Sequence, residues 1–550
     1  MASLAAIIFW AATDGPAVLH AQDKGAKKKG QPLTHPVPAA GTTVNVSSLA
    51  KIIDDEIALR LKQEKIPASA KCDDSEFIRR VYLDIVGVIP SVDRVKAFLD
   101  NKDPNKREQL IDQLLANGNF GKQLSEIWMH EIISLTDPEN RLLPLEGLRK
   151  WMETGFNNGK PWSKMVEEML TSSGTVEDNP TTIFFAANKG VDKVTGQVTR
   201  LFLGVQLQCA QCHNHPFTDW KQDEYWGMAA FFKGVKQNVT PKKAAKDGTP
   251  VTITEVAVAG GPAAGKVLPK KKKGADIPEG FKNVPPKFLA GSTAKVTGAA
   301  RPVLAKWLTS TDNPYFARAM VNRMWAHFFG RGFVNPIDDM HDNNPATHPE
   351  LLIALAEQFK RHNYDLKYLV KSIVMSDTYQ RSSKPSQGND SDTEFFSRMY
   401  IRSMTAEQMY DSFTVLVGAP GKGGDKGAKK GGMVPGGKKG GGGPREQFVR
   451  FFRLEEGADP LEYQDGIPQA LRLMNGPIFN KGGNTLEAAL KQKSAAEGIK
   501  YLHLAVFARP PTTQETQRLS AYMAKQANTR IAYNDILWAM LNSSEFRLNH

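Results

Sequence analysis

Cysteine is nearly absent from this chain, with three residues in 550. That scarcity excludes a fold stapled throughout by disulfides. Long apolar runs are missing too. No segment reaches the roughly 18 consecutive apolar residues of a membrane-crossing helix, so no transmembrane span is expected. Strand-type sequence is rare: one β-branched run at 249–258 reads as a strand, with Gly260-Gly261 as a turn and Val267-Leu268 as its return. Acidic excess is lacking as well, and the net charge of +13 raises the question of nucleic acid. Its distribution answers it. Residues 22–30, 236–283 and 418–444 carry +3, +6 and +5, so the rest of the chain is near neutral. The charge sits in low-complexity Lys- and Gly-rich segments, which excludes specific nucleic-acid recognition and leaves weak contact with anionic polymers.

What is present is mostly helical periodicity. The apolar run Leu4–Ala12, followed by Leu19-His20-Ala21, has signal-peptide length, although no basic residue precedes it. Residues 1–21 are therefore expected to direct export to the periplasm or cell envelope. Residues 22–45 read as a Lys- and Pro-rich linker. A helical domain follows over 46–232, with Ser47 or Ser48 as its first cap and Asp73 opening its second helix. Gly87 and Pro90 end that second helix. Residues 233–297 form an insert with a small hairpin and the charge run Lys270–Lys273. A second helical region covers 298–417 and 445–550, interrupted by a Gly/Lys-rich insert at 418–444 that holds thirteen glycines and cannot bury a core. Thr347-His348-Pro349-Glu350 has capping-box form. The expected fold class is mainly α: a multi-helical, two-part protein with a small β-hairpin-like insert.

The chemistry concentrates in Gln206–Phe217, which holds Cys209, Cys212, His213 and His215. Cys-x-x-Cys-His is the spacing of c-type haem attachment, where two thioethers form and the adjacent imidazole ligates iron. A helix through 198–212 would set Cys209, Cys212 and His213 on one face, while the alternation of Leu201, Leu203, Val205 and Leu207 would suit a strand. Three other readings fit the same letters: a Cys209–Cys212 disulfide in an exported protein, zinc or iron held with His213 or His215, and two buried small hydrophobes. His213-Asn214-His215 only spells the nuclease letters by accident.

Several stretches together resemble a known family. They are Leu83-Asp-x-x-Gly-x-x-Pro90, Cys209–Phe217 with Trp220, and Asn313-Pro-x-x-Ala-x-x-x-Val-Asn-Arg-x-Trp325. His348-Pro-Glu-Leu-Leu352, Ser376-x-Thr-Tyr379 and Leu541-Asn-Ser-Ser-Glu-Phe546 add to them. The chain resembles planctomycete cytochrome-associated exported proteins, built from a cytochrome-like domain and a C-terminal partner domain, both of uncertain function. The resemblance covers 46–232 and 298–550. It departs in one respect, since no separate cytochrome c module is expected upstream of residue 46.

The first reading is an exported envelope protein binding one haem c through Cys209, Cys212 and His213, in electron transfer or redox catalysis with a redox or envelope partner. The second is a metal-dependent hydrolase of extracellular polymer, with zinc or iron on His213, His215 and Asp338 or Asp339. The third is a scaffold with a Cys209–Cys212 disulfide. A second ligand for any metal is sought in Asp338–Asn344, where Met340 and His341 are the candidates. That reading requires residues 338–348 to lie beside Cys209–His215.

Overall fold

The computed structural model describes residues 42–134, 137, 139–216, 218–239, 251–256, 283–418, 443–453, 467–476 and 482–550. The signal and most of the linker, the 260–268 turn and return, the Lys270–Lys273 run and nearly all of 418–444 lie outside them. The protein is mainly helical, as its periodicity predicts, and among the described residues no helix is long and apolar enough to cross a membrane.

Local chemistry accounts for most helix ends. Asp73 accepts from the Glu76 amide to cap Asp74–Val86, and Gly87 closes that helix in the left-handed region at φ 74°. Asn313 accepts from the amides of Tyr315 and Phe316 at the head of Phe316–Phe329, which ends at Gly330. Two expected caps are different. The first helix is Val46–Glu64 and its cap is Asn45, not Ser47 or Ser48. No capping box forms at Thr347, because Pro349 takes the first helical position of Pro349–Arg361 and puts Glu350 one residue too early to reach back. The Thr347 hydroxyl pairs instead with His348 Nδ1 at 3.0 Å.

The β-branched run is a strand at Val251–Glu255, and its pairing differs from the expected hairpin. It lies between Gly174–Thr175 and Val235–Val239, both antiparallel, with Val235 opposite Glu255. Val251 and Ile253 face the core. The partner Val235-Lys-Gln-Asn-Val239 has polar residues at its centre, so no apolar alternation announces it.

All described residues belong to one compact unit, and buried apolar side chains from Leu49 to Phe546 form one continuous core. The N-terminal and C-terminal halves interlock within it. Val46–Glu64 packs against Pro349–Arg361 and Leu366–Met375. Buried polar groups join the halves as well. Asp84 accepts from the Tyr379 hydroxyl at 2.8 Å, from Arg402 at 2.9 and 3.0 Å, and from Asn549 at 2.7 Å. The Arg79 guanidinium, fully enclosed, donates to the carbonyls of Val506 and Phe546. Glu255 caps Arg301–Leu308 through the amides of Ala300 and Arg301, and it pairs with the Arg301 guanidinium at 2.8 Å. Trp128 and Trp162 are both buried, with ring centroids 4.3 Å apart.

Candidate functional site

The helix leading to the cysteines does not continue through them. Val191–Val198 is α-helical and Thr199–Leu203 widens into a π turn. Gly204 then breaks the run in the left-handed region at φ 67°. A short 3₁₀ turn, Gln208–Gln211, follows. The expected α-helix through 198–212 is therefore corrected: a residue with a Cβ is strained at Gly204, and the chain turns there. Cys209 lies within the 3₁₀ turn, and Cys212 is the residue that follows it.

Burial sorts this turn cleanly. Leu207 and Ala210 are fully buried, while Cys209, Cys212 and His213 are exposed and His215 is half-buried. The reading of both cysteines as buried small hydrophobes is thereby corrected, since Ala210 is the residue that anchors the turn. Both thiols are unpaired in this structure. The Gln211 carbonyl accepts from the buried Trp226 indole at 3.1 Å and from Gln222 at 2.9 Å, and Asn214 accepts from the Gln222 amide. These partners on Gln222–Ala229 hold the turn rigid from below. Sequence reasoning missed them.

The two motif histidines differ. His213 Nδ1 lies 2.7 Å from the Asn214 carbonyl, so Nδ1 carries the hydrogen and Nε2 offers its lone pair outward. His215 is tied by its backbone, its amide donating to the Trp220 carbonyl at 2.8 Å. Burial lowers the His215 pKa; the Asp339 carboxylate opposes that, and His341 and His213 add to it.

The 338–341 loop does lie against this segment. The Met340 amide donates to the Gly204 carbonyl at 2.8 Å, and Gln206 donates to Asp338 at 2.8 Å. Asn322 fixes the approach to the loop by donating to the carbonyls of Val334 and Ile337 and accepting from the Val334 amide. Arg323 and Arg200 converge on Glu131 at 2.9 and 3.2 Å and reach Asp338 at 3.8 and 3.3 Å.

The four loop candidates separate by what they touch. Asp338 is paired with Arg200 and Arg323 and accepts a hydrogen bond from the Gln206 amide. Met340 is half-buried against the core; a Cβ on Gly204 would stand 3.1 Å from its sulfur. Asp339 and His341 face each other, with Oδ2 and Nε2 3.4 Å apart, and His341 Nδ1 accepts from the Asn343 amide at 3.2 Å. His215 interacts electrostatically with both of them and with His213.

Among the described residues, one set of His, Cys and acidic side chains has donor atoms within 4.8 Å of one another: Glu126, His130 and Glu407. Nothing in their spacing suggested it, because Glu407 is distant in sequence. Arg445 lies 3.3 Å and Arg149 3.7 Å from Glu126, and Arg453 lies 3.4 Å from Glu407. Three guanidiniums repel a divalent ion, so this set is an ion-pair network.

Residues 52–237 match the family model PSCyt2, described as a protein of unknown function (DUF1549). Residues 300–431 match PSD1, also described as a protein of unknown function (DUF1553). The two fall in the order expected of the two-domain family, although the second match ends at 431 and not at 550. No curated protein and no solved structure matches the chain.

Proposed function

We propose that a chain carrying these two domains in this order is an exported redox protein holding one c-type haem on the 209–213 turn. Cys209 and Cys212 would hold the group through their sulfurs, and His213 Nε2 would ligate its iron. One observation carries this reading. Both thiols are free and exposed, Cys209 in the 3₁₀ turn and Cys212 just after it, and the Nδ1–H bond of His213 to the Asn214 carbonyl leaves the ring lone pair on Nε2. Attachment needs both sulfurs accessible and the imidazole in that tautomer.

The bound group would supply one-electron exchange through its iron. The chain's own residues do the rest. Ala210 and Leu207 anchor the turn in the core, and Trp226 and Gln222 hold the Gln211 carbonyl so that the Cys-x-x-Cys spacing stays fixed. The exposed position suits exchange with a partner at the surface of the cell envelope. Export also fits, since thioether formation takes place outside the cytoplasm.

Intact mass and absorption test this in a host equipped for haem attachment. The expected result is the mature mass plus one haem and a Soret band, with Cys212→Ala retaining one thioether or none. Unmodified mass in such a host ends the haem reading.

A further inference from the structure

We infer that Asn214 is a positioning residue for His213, a bracket between the imidazole and the first turn of Gln222–Ala229. Its two oxygens divide the work. The backbone carbonyl accepts from His213 Nδ1 at 2.7 Å, and the side-chain oxygen accepts from the Gln222 backbone amide at 3.0 Å. The ligand role of His213 rests on the haem reading above, whereas the tautomer of its ring does not.

Helix chemistry explains why the bracket forms. Gln222 is the first residue of its helix, and Lys221 before it is extended at φ −99° and ψ 156°. A first-turn amide has no partner within its own helix, and a lysine side chain has no acceptor to give it. Asn214 supplies one from eight residues upstream. The aligned peptide dipoles of the helix strengthen that amide as a donor. The same helix holds the other side of the motif, where the Gln222 side chain and the Trp226 indole both donate to the Gln211 carbonyl at 2.9 and 3.1 Å. The residues flanking Cys212-His213 are thus tied to one helix, whose Tyr225–Ala229 stretch is buried.

His213 and Asn214 are themselves exposed. Water competes for an exposed imidazole, so the Nδ1–H tautomer prevails only where the accepting carbonyl is already held in place. The anchored Asn214 holds it. With Nδ1 occupied as a donor, Nε2 is the ring atom with a lone pair, and the bond to the carbonyl raises its strength as a ligand. Asn214 therefore sets which nitrogen is offered and how strongly it donates.

Two substitutions at 222 separate the bonds. Gln222→Pro removes the N–H that Asn214 accepts, at the first helical position, where proline is favoured, and after an extended residue compatible with it. Gln222→Ala keeps that N–H and removes only the side-chain bond to Gln211. Long-range proton–nitrogen correlation spectra of the haem-free full chain, kept reduced and above the imidazole titration range, read the tautomer directly. Nδ1–H should dominate at His213 in the parent and in Gln222→Ala. Gln222→Pro and Asn214→Ala should each lower the ratio of Nδ1–H to Nε2–H about fivefold, the weight of one ordinary hydrogen bond. Asn214→Asp, which keeps an acceptor, should preserve it. In the haem-attached protein, the midpoint potential of Gln222→Pro should lie above that of Gln222→Ala, because a weaker imidazole donor stabilises ferric iron less. A ratio unmoved in both Asn214→Ala and Gln222→Pro would overturn the inference, whatever their thermal unfolding, and so would an Nε2–H ring in the parent. Failure of haem attachment would end the haem reading alone, since the tautomer is read on the haem-free chain.

Discussion

Removing the carboxylate of Asp84 should destabilise the protein more than removing any surface charge. Asp84 and Arg402 are 1% and 8% exposed in their side chains, and two N–H···O contacts of 2.9 and 3.0 Å join them. Tyr379 and Asn549 donate to the same carboxylate. Asp84→Ala leaves the Arg402 guanidinium buried without its counter-charge, a loss of about 3–5 kcal/mol for pairs of this kind. Tyr379→Phe removes one donor and leaves the ion pair intact, so it should cost about 1 kcal/mol. Lys51–Asp55, with side chains 73% and 62% exposed, is the control, and Lys51→Ala should cost about 0–1 kcal/mol. Urea unfolding followed by tryptophan fluorescence gives each value from the midpoint and slope. Because the penalty comes from an orphaned charge, adding Arg402→Met to Asp84→Ala should restore much of the loss. The reasoning is refuted if Asp84→Ala falls within the range of Lys51→Ala, or if the double variant is weaker than the single one.

Two further outcomes follow from the same structure. Burial alone would raise the Glu407 carboxyl, but the hydrogen bond and charge of His130 and the charge of Arg453 hold it at about 2. Its stabilisation of about 3 kcal/mol is present above the unfolded carboxylate value near 4.5 and is lost as pH falls towards 2, so Glu407→Gln should flatten that acid limb in pH-dependent unfolding. Gly204→Ala forces a Cβ into the left-handed region at φ 67° and against Met340, at roughly 1–2 kcal/mol; an unchanged urea midpoint would contradict this.

Helix periodicity and capping chemistry made most of the fold legible in the sequence. Leu366, Leu369, Val370 and Ile373 are buried on one face, and Asp73, Gly87 and Gly330 end helices as their residue types dictate. The errors have local causes. Pro349 shifted a helix start by one residue, and Gly204 broke a helix whose apolar spacing ran straight through it. The strand Val235–Val239 was hidden because its central residues are polar. At the site, the cluster at 338–341 was visible as composition, and its place beside Gly204 and Gln206 follows from contacts that no spacing encodes. Composition also could not rank the candidates. Asp338 and Asp339 are adjacent in sequence, and only the positions of Arg200 and Arg323 show which is neutralised.

The residues that carry the family resemblance divide into two physical classes. Asp84, Tyr379, Asn322 and Arg323 are buried and hydrogen-bonded across the chain, joining segments 192 or more residues apart or fixing the loop after Val334. Their side chains are accounted for by the fold. Cys209, Cys212 and His213 are exposed, and His213 bonds only to the carbonyl of its neighbour. Packing gives no reason for two thiols and an imidazole on that turn, since Leu207 and Ala210 anchor it. Surface substitutions away from buried networks normally change stability by less than about 0.5 kcal/mol. Serine at 209 and 212 and glutamine at 213 should therefore leave folding intact. Any loss they cause is then a loss of bound group or of chemistry, which makes this turn the place where function can be separated from fold.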